Sequence, residues 1–144
     1  MNHKPMLNAY PDSLGGNLGD IVTLLKTEAM QDVFSSFYIL PSLYHSDLDR
    51  GFSVIDYDLN EQLANREDLD QLKNMGTDLK LDFILNHASA QSPQFQDLVE
   101  KGEASAYRDF FIDWNRFWEG HGTMTEEGYI QPEESCLKQM FFRK

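Results

Sequence analysis

Three short apolar runs, separated by segments of helical period, constrain this chain more than any other feature of it. Met6 to Tyr10 ends at Pro11 and Asp12, Phe37 to Leu40 (FYIL) stops at Pro41, and Leu79 to Leu85 (LKLDFIL) runs into Asn86 and His87. The runs are almost continuously apolar, as parallel strands covered on both faces are, rather than alternating. Between the first two, Leu18, Ile21, Val22, Leu25 and Ala29 fall on one helical face, with Asn17 as N-cap and Asp20 in the first turn. Between the second and third, a polar loop leads into Leu69, Leu72 and Met75 at helical spacing. Asn65 caps this second helix, Glu67 and Asp68 complement its positive end, and Gly76 terminates it. The order β-α-β-loop-α-β predicts right-handed crossovers and a parallel α/β sheet.

Beyond residue 90 the rhythm changes. Ser92 and Pro93 open a short helix carrying Phe95, Leu98 and Val99 and closing near Gly102. Tyr107, Phe110, Phe111, Trp114, Phe117 and Trp118 follow at helical spacing. From Glu119 onward, glycine, charge and turn signals predict no fourth strand, and the segment reads as an insertion after the third.

Composition narrows the classes of partner. At 144 residues, with 41% hydrophobic residues, the chain has the length and the apolar content for one folded core. Acids outnumber bases 24 to 12, which argues against nucleic acid, because phosphate backbones are held by surplus Lys and Arg. The single cysteine, Cys136, leaves no internal disulfide framework or Cys-rich zinc site and fits a reducing compartment. No stretch has the length of a secretory h-region or a bilayer span, so no membrane association and a cytoplasmic location are expected.

In parallel α/β sheets, ligands collect at the carboxyl ends of the strands. Three polar clusters lie there: Tyr10 and Asp12 after the first run; His45, Asp47, Asp49 and Arg50 after the second; Asn86 and His87 after the third. Together they suggest a site for something rich in hydroxyls. Each also has a plainer reading. Asp12 initiates the PDSLGG turn. The His45-x-Asp47-x-Asp49 run is a solvated acidic loop rather than a metal centre. His87 taken alone is a hydrogen-bonded structural histidine, and His3 and His121 are surface residues. The Tyr/Phe/Trp stripe is core or interdomain packing, with a sugar-stacking platform as the second reading. Asp82 resists a plain reading, because a carboxylate inside an apolar strand needs partners.

Read together, these residues resemble a known family. Asp82-Phe83-Ile84-Leu85-Asn86-His87 resembles the D-x-x-x-N-H element of glycoside hydrolase family 13, the α-amylase superfamily. Tyr10-x-Asp12-x-Leu14-Gly15, Ile39-Leu40-Pro41, Asp49-x-Gly51-Phe52, Ile55-Asp56, Ser89, Gln94-Phe95-Gln96-Asp97 and Glu100-Lys101-Gly102-Glu103 follow in the order found in its sucrose phosphorylase branch. The segment GYIQPEESCLKQMFFRK looks more like glucosylglycerate phosphorylases, and the loop between Pro41 and Asp49 is shorter than in sucrose phosphorylases.

The resemblance implies an α/β fold, an incomplete (β/α)8 barrel. Residues 1–89 would be its first three β/α units, and residues 90–144 a helical segment and the truncated start of an inserted domain B. It implies a retaining double displacement in which an α-glucoside donor (sucrose or glucosylglycerate type) passes its glucosyl group to inorganic phosphate, a co-substrate, with no cofactor. Such chemistry needs two carboxyl groups about 5 Å apart. In the family they follow strands four and five, beyond this chain, so no catalytic residue is expected here and the chain alone should be inactive. The donor-sugar pocket carries over: Asp49 grips ring hydroxyls, His87 donates to one, Phe52 walls the ring, and Tyr10 and Asp82 support the floor. Asn86 matches a calcium-binding position of amylases that the phosphorylase branch does without. Arg143 and Lys144 match a basic pair near the phosphate path. Two alternatives stand beside this reading: a small non-catalytic α/β carbohydrate-binding module, and an unrelated three-layer α/β interaction domain.

Overall fold

A computed structural model describes residues 4–140, which form two compact units divided between Gln96 and Asp97. The first unit is built on a parallel sheet of β1 (Met6–Ala9), β2 (Ser36–Ile39) and β5 (Asp78–Leu81), with β2 in the centre. Its register pairs Ala9 with Ile39 and Ile39 with Leu81. Helix α1 (Leu18–Leu25) connects β1 to β2 and α2 (Arg66–Asn74) precedes β5. Asn17 caps α1 by accepting from Asp20 N at 3.2 Å. Asn65 and Asp68 form a reciprocal capping box on α2, with bonds of 3.0 and 3.1 Å.

The apolar face read from the sequence is the core. Leu18, Ile21, Val22 and Leu25 of α1 pack with Ala9, Phe37, Ile39, Leu43, Ala64 and Leu72. Phe37 is wholly buried on the central strand, where burying such a side chain stabilises by about 1.5–3 kcal/mol.

Several expectations need correction. The third strand ends at Leu81 rather than Leu85. Its partner β2 ends at Ile39, and two residues on stands Pro41, which has no N–H for a ladder. Nor is this strand covered on both faces, since all four of its residues are exposed, Leu79 and Leu81 among them. Helix α1 stops before Ala29, where Thr27 turns back to give both its N–H and its hydroxyl to Leu24 O. The polar loop after Pro41 is not a loop throughout. It holds an antiparallel hairpin, β3 (Tyr44–Leu48) and β4 (Ser53–Leu59), whose register shifts on both sides of Ser46.

The second unit begins inside α3 (Pro93–Lys101). Ser105 donates to Asp97 Oδ2 at 2.6 Å, closing the turn after this helix. The aromatic stripe is not one helix. A 3₁₀ turn at Arg108–Phe110 precedes α4 (Trp114–Phe117), because extended Asp113 restarts the helix by accepting from Arg116 N at 3.1 Å. An antiparallel pair follows, β6 (Gly122–Met124) and β7 (Ile130–Pro132), and then α5 (Glu134–Met140). Trp118 and Ile130 are the buried apolar centre of this unit, and Trp114 Nε1 donates to Ile130 O at 2.7 Å. Part of the stripe is therefore core, while Phe110 and Phe117 are exposed. Among the described residues no fourth parallel strand is present, and no helix is long and apolar enough to cross a membrane.

Candidate functional site

Because β1, β2 and β5 are parallel, the segments that follow them leave the same edge of the sheet. After β2 the chain makes a 3₁₀ turn (Pro41–Leu43) and enters the β3–β4 hairpin, whose tip is Asp49-Arg50-Gly51. All three tip residues have positive φ, at 54°, 51° and 103°. Gly51 has no alternative, since a Cβ there would stand 2.1 Å from Ser42 N. Asp tolerates the left-handed region better than most residues, whereas Arg gains nothing from it, and such backbone concentrates at functional sites.

Arg50 is held in this conformation from outside its loop. Its Nη2 donates to Asp12 Oδ1 at 2.5 Å, and its guanidinium carbon lies 4.0 Å from the centre of the Tyr10 ring. The loops after β1 and β2 are thereby tied together through the carboxylate of Asp12, while the turn around it is closed by Tyr10 and Ser13. An open recess of about 240 Å³ lies between them, lined by Asp12, Ser42, Asp47, Asp49, Arg50 and Asn60 among others. Small-molecule pockets typically measure about 300–1,000 Å³, so this recess is a polar corner rather than an enclosed cavity. Phe52 and His87 are not among its lining residues.

His45 and Asp47 have separate partners. His45 bonds Asp56 Oδ1 through Nδ1 at 2.8 Å and Glu61 Oε2 through Nε2 at 3.2 Å, and these carboxylates, Glu61 foremost, raise its pKa. Asp47 accepts from Ser89 Oγ at 2.7 Å. No group of three His, Cys, Asp or Glu side chains suited to a metal exists among the described residues.

After β5, Asp82 has the partner its position required. Tyr38 of β2 donates its hydroxyl to Asp82 Oδ1 at 2.6 Å, which pushes the phenol pKa up. Tyr57 of β4 donates to Ile84 O and meets the Phe83 ring at a tilt of 59°, with ring centres 4.7 Å apart. His87 is exposed, with Nδ1 3.0 Å from Asn86 Oδ1, and Phe52 is exposed on the hairpin. Arg143 and Lys144 lie outside the described residues. Sequence reasoning missed the bridge from Arg50 to Tyr10 and Asp12, and missed Tyr38. The signal for Tyr38 was present: it is the one side chain of the FYIL run with a polar atom, and Asp82 is the one carboxylate of the neighbouring run after its start.

No protein-family model matches the chain. It is 54% identical over 142 residues to the sucrose 6(F)-phosphate phosphorylase of Ilumatobacter coccineus, covering 99% of this chain and 27% of that protein. It is 40% identical over 118 residues to the sucrose phosphorylase of Streptococcus mutans serotype c, covering 81% of this chain and 24% of the relative. The crystal structure of sucrose 6F-phosphate phosphorylase from Thermoanaerobacter thermosaccharolyticum superposes with a TM-score of 0.79 at 33% identity, over 100% of this chain and 27% of the other. The chain thus spans about a quarter of the length of the curated relatives it matches. With its D-x-x-x-N-H element following a parallel strand and its Asp49-Arg50-Gly51 tip at the same edge, the chain has its homologues in the sucrose phosphorylase branch of glycoside hydrolase family 13.

Proposed function

We propose that the chain is the N-terminal portion of a glycosyl phosphorylase that moves a glucosyl group from an α-glucoside to inorganic phosphate by a retaining double displacement, releasing glucose 1-phosphate. Residues 1–89 are its first three β/α units and the segment from 90 begins an inserted domain, in a (β/α)8 barrel that further chain completes. Asp49, His87, Phe52, Tyr10 and Asp82 form the donor-sugar side of the site. The nucleophile and the acid/base lie on later strands, and the reaction uses no cofactor. The protein works in the cytoplasm.

The observation that carries this reading is the parallel register, by which the segments that contain Tyr10, Asp49 and His87 leave the same edge of one sheet. A charged acceptor such as Asp49 makes strong, directional bonds to ring hydroxyls. The strained loop holding it, fixed through Arg50, is the kind of pre-set backbone that a positioning site needs.

The experiment is a phosphorolysis assay with sucrose, sucrose 6F-phosphate and glucosylglycerate as donors, following glucose 1-phosphate by ³¹P NMR. The expected outcome is product from the full-length protein, with the preferred donor naming the acceptor, and none from residues 1–144 alone. Turnover by residues 1–144 would contradict it, and sugar binding without turnover by the full-length protein would favour a binding module.

A further inference from the structure

Asp47 lies two residues before Asp49 at the end of β3, and it has no assigned part in the site. Its Oδ2 accepts from Ser89 Oγ at 2.7 Å, and Ser89 lies two residues after His87. Ser53, next to Phe52, is paired with Leu48 in the hairpin, one residue from Asp47, and lowers the pKa of the Asp47 carboxyl. Asp47, itself two residues before Asp49, therefore reaches neighbours of the other two residues assigned to the donor sugar, Phe52 and His87.

We propose that Asp47 is a positioning residue: its carboxylate, gripped by Ser89 and carried on the strand that pairs with Ser53, fixes the segments of Asp49, Phe52 and His87 relative to one another. The inference rests on the donor-site reading above.

Three observations support it. Ser89 is 2% exposed and fully engaged, its N–H donating to Val54 O of β4 at 2.8 Å and its Oγ accepting from Gln91 N at 2.9 Å. The link is thus anchored on both sides. The register of the hairpin shifts between Ser46 and Leu48, the kind of irregularity that re-aims a side chain, and Asp47 sits within that shift. Ser53, foremost, and Ser89 hold the Asp47 carboxyl below the usual carboxylate range, as donors to the ionised form do. An amide offers one acceptor oxygen where the carboxylate offers two and carries no charge, so Asn at this position weakens the bond from Ser89.

The test uses the full-length protein with Asp47→Asn, Ser89→Ala, Ser89→Thr and, as control, Asp49→Asn. Two things are measured: phosphorolysis rates against sucrose 6F-phosphate and against phosphate, and the backbone amide and His87 ring resonances without ligand. Asp47→Asn and Ser89→Ala should raise the donor KM about tenfold or more, since small misplacements of binding groups carry that cost. The phosphate KM should stay within about twofold, and Ser89→Thr, which keeps the hydroxyl, should stay near wild type. Both damaging variants should shift the His87 resonances. Unmoved His87 resonances with a wild-type donor KM overturn the proposal. If Asp49→Asn also leaves the donor KM unchanged, the donor-site reading fails instead, and the resonances alone decide whether Asp47 couples the three segments.

Discussion

Tyr38, on the central strand, donates its hydroxyl to the carboxylate of Asp82, the first residue beyond the edge strand, at 2.6 Å. Lys80 lies over the same ring, with its Nζ 3.9 Å from the ring centre. The chain between the sheet and His87 thus leaves from a fixed point. Because Asp82, through its hydrogen bond first, raises the pKa of Tyr38, the stability this adds is fully present below the ordinary tyrosine pKa of about 10. It is lost as pH rises through the raised value. Denaturant melts of wild type and Tyr38→Phe should differ by a constant amount from pH 7 to about 10 and converge above it. A gap that widens above pH 10 would contradict the bond.

Gly51→Ala should be among the most damaging single changes in the hairpin. The left-handed φ of 103° and a Cβ placed 2.1 Å from Ser42 N leave the backbone no place to stay. A loss of about 1–3 kcal/mol from the backbone conformation alone, with the clash added, should appear as a lowered urea midpoint. Arg50→Ala at the neighbouring position removes only a half-exposed ion pair and a cation–π contact, and should cost about 1 kcal/mol or less.

His45 should titrate above the free-histidine value. Its pKa is raised by Glu61 first and then by Asp56, so the stability it contributes is complete below about pH 6.5 and fades as pH climbs through the raised value. An NMR titration of the His45 ring should fall back toward about 6.5 in the Glu61→Gln, Asp56→Asn double variant. An unchanged titration curve would show that the two carboxylates do not hold the ring.

In the core, Phe37→Ala should cost about 3–5 kcal/mol, because a wholly buried ring leaves a cavity under α1. Asn65→Ala removes one half of the capping box and should cost about 1 kcal/mol. Equilibrium unfolding of the two variants side by side measures the contrast.

The parallel sheet and its two helices were legible because their signals are local: Asn17 and Asn65 cap as their positions suggest, and the Leu18–Leu25 face is buried. The hairpin was not, because Tyr44-His45-Ser46-Asp47-Leu48 carries no alternation of apolar and polar residues. What holds it is a set of side-chain bonds to residues distant in sequence, among them Tyr57 to Ile84 and Asp47 to Ser89. The same applies to the aromatic stripe, where six residues at helical spacing are divided by one extended aspartate, Asp113. Of the proposed site, the residue types and their common edge were readable. The way Arg50 joins Tyr10 and Asp12 was not, since it depends on a left-handed arginine that no local pattern announces.

The central claim is that Asp49, Phe52 and His87 surround one hexose. A crystal structure of the full-length protein with glucose bound tests it directly. The account predicts the Asp49 carboxylate and a His87 ring nitrogen within about 2.7–3.2 Å of ring hydroxyls, with Phe52 against the sugar face. Glucose bound elsewhere, with these three side chains facing bulk water, would contradict it.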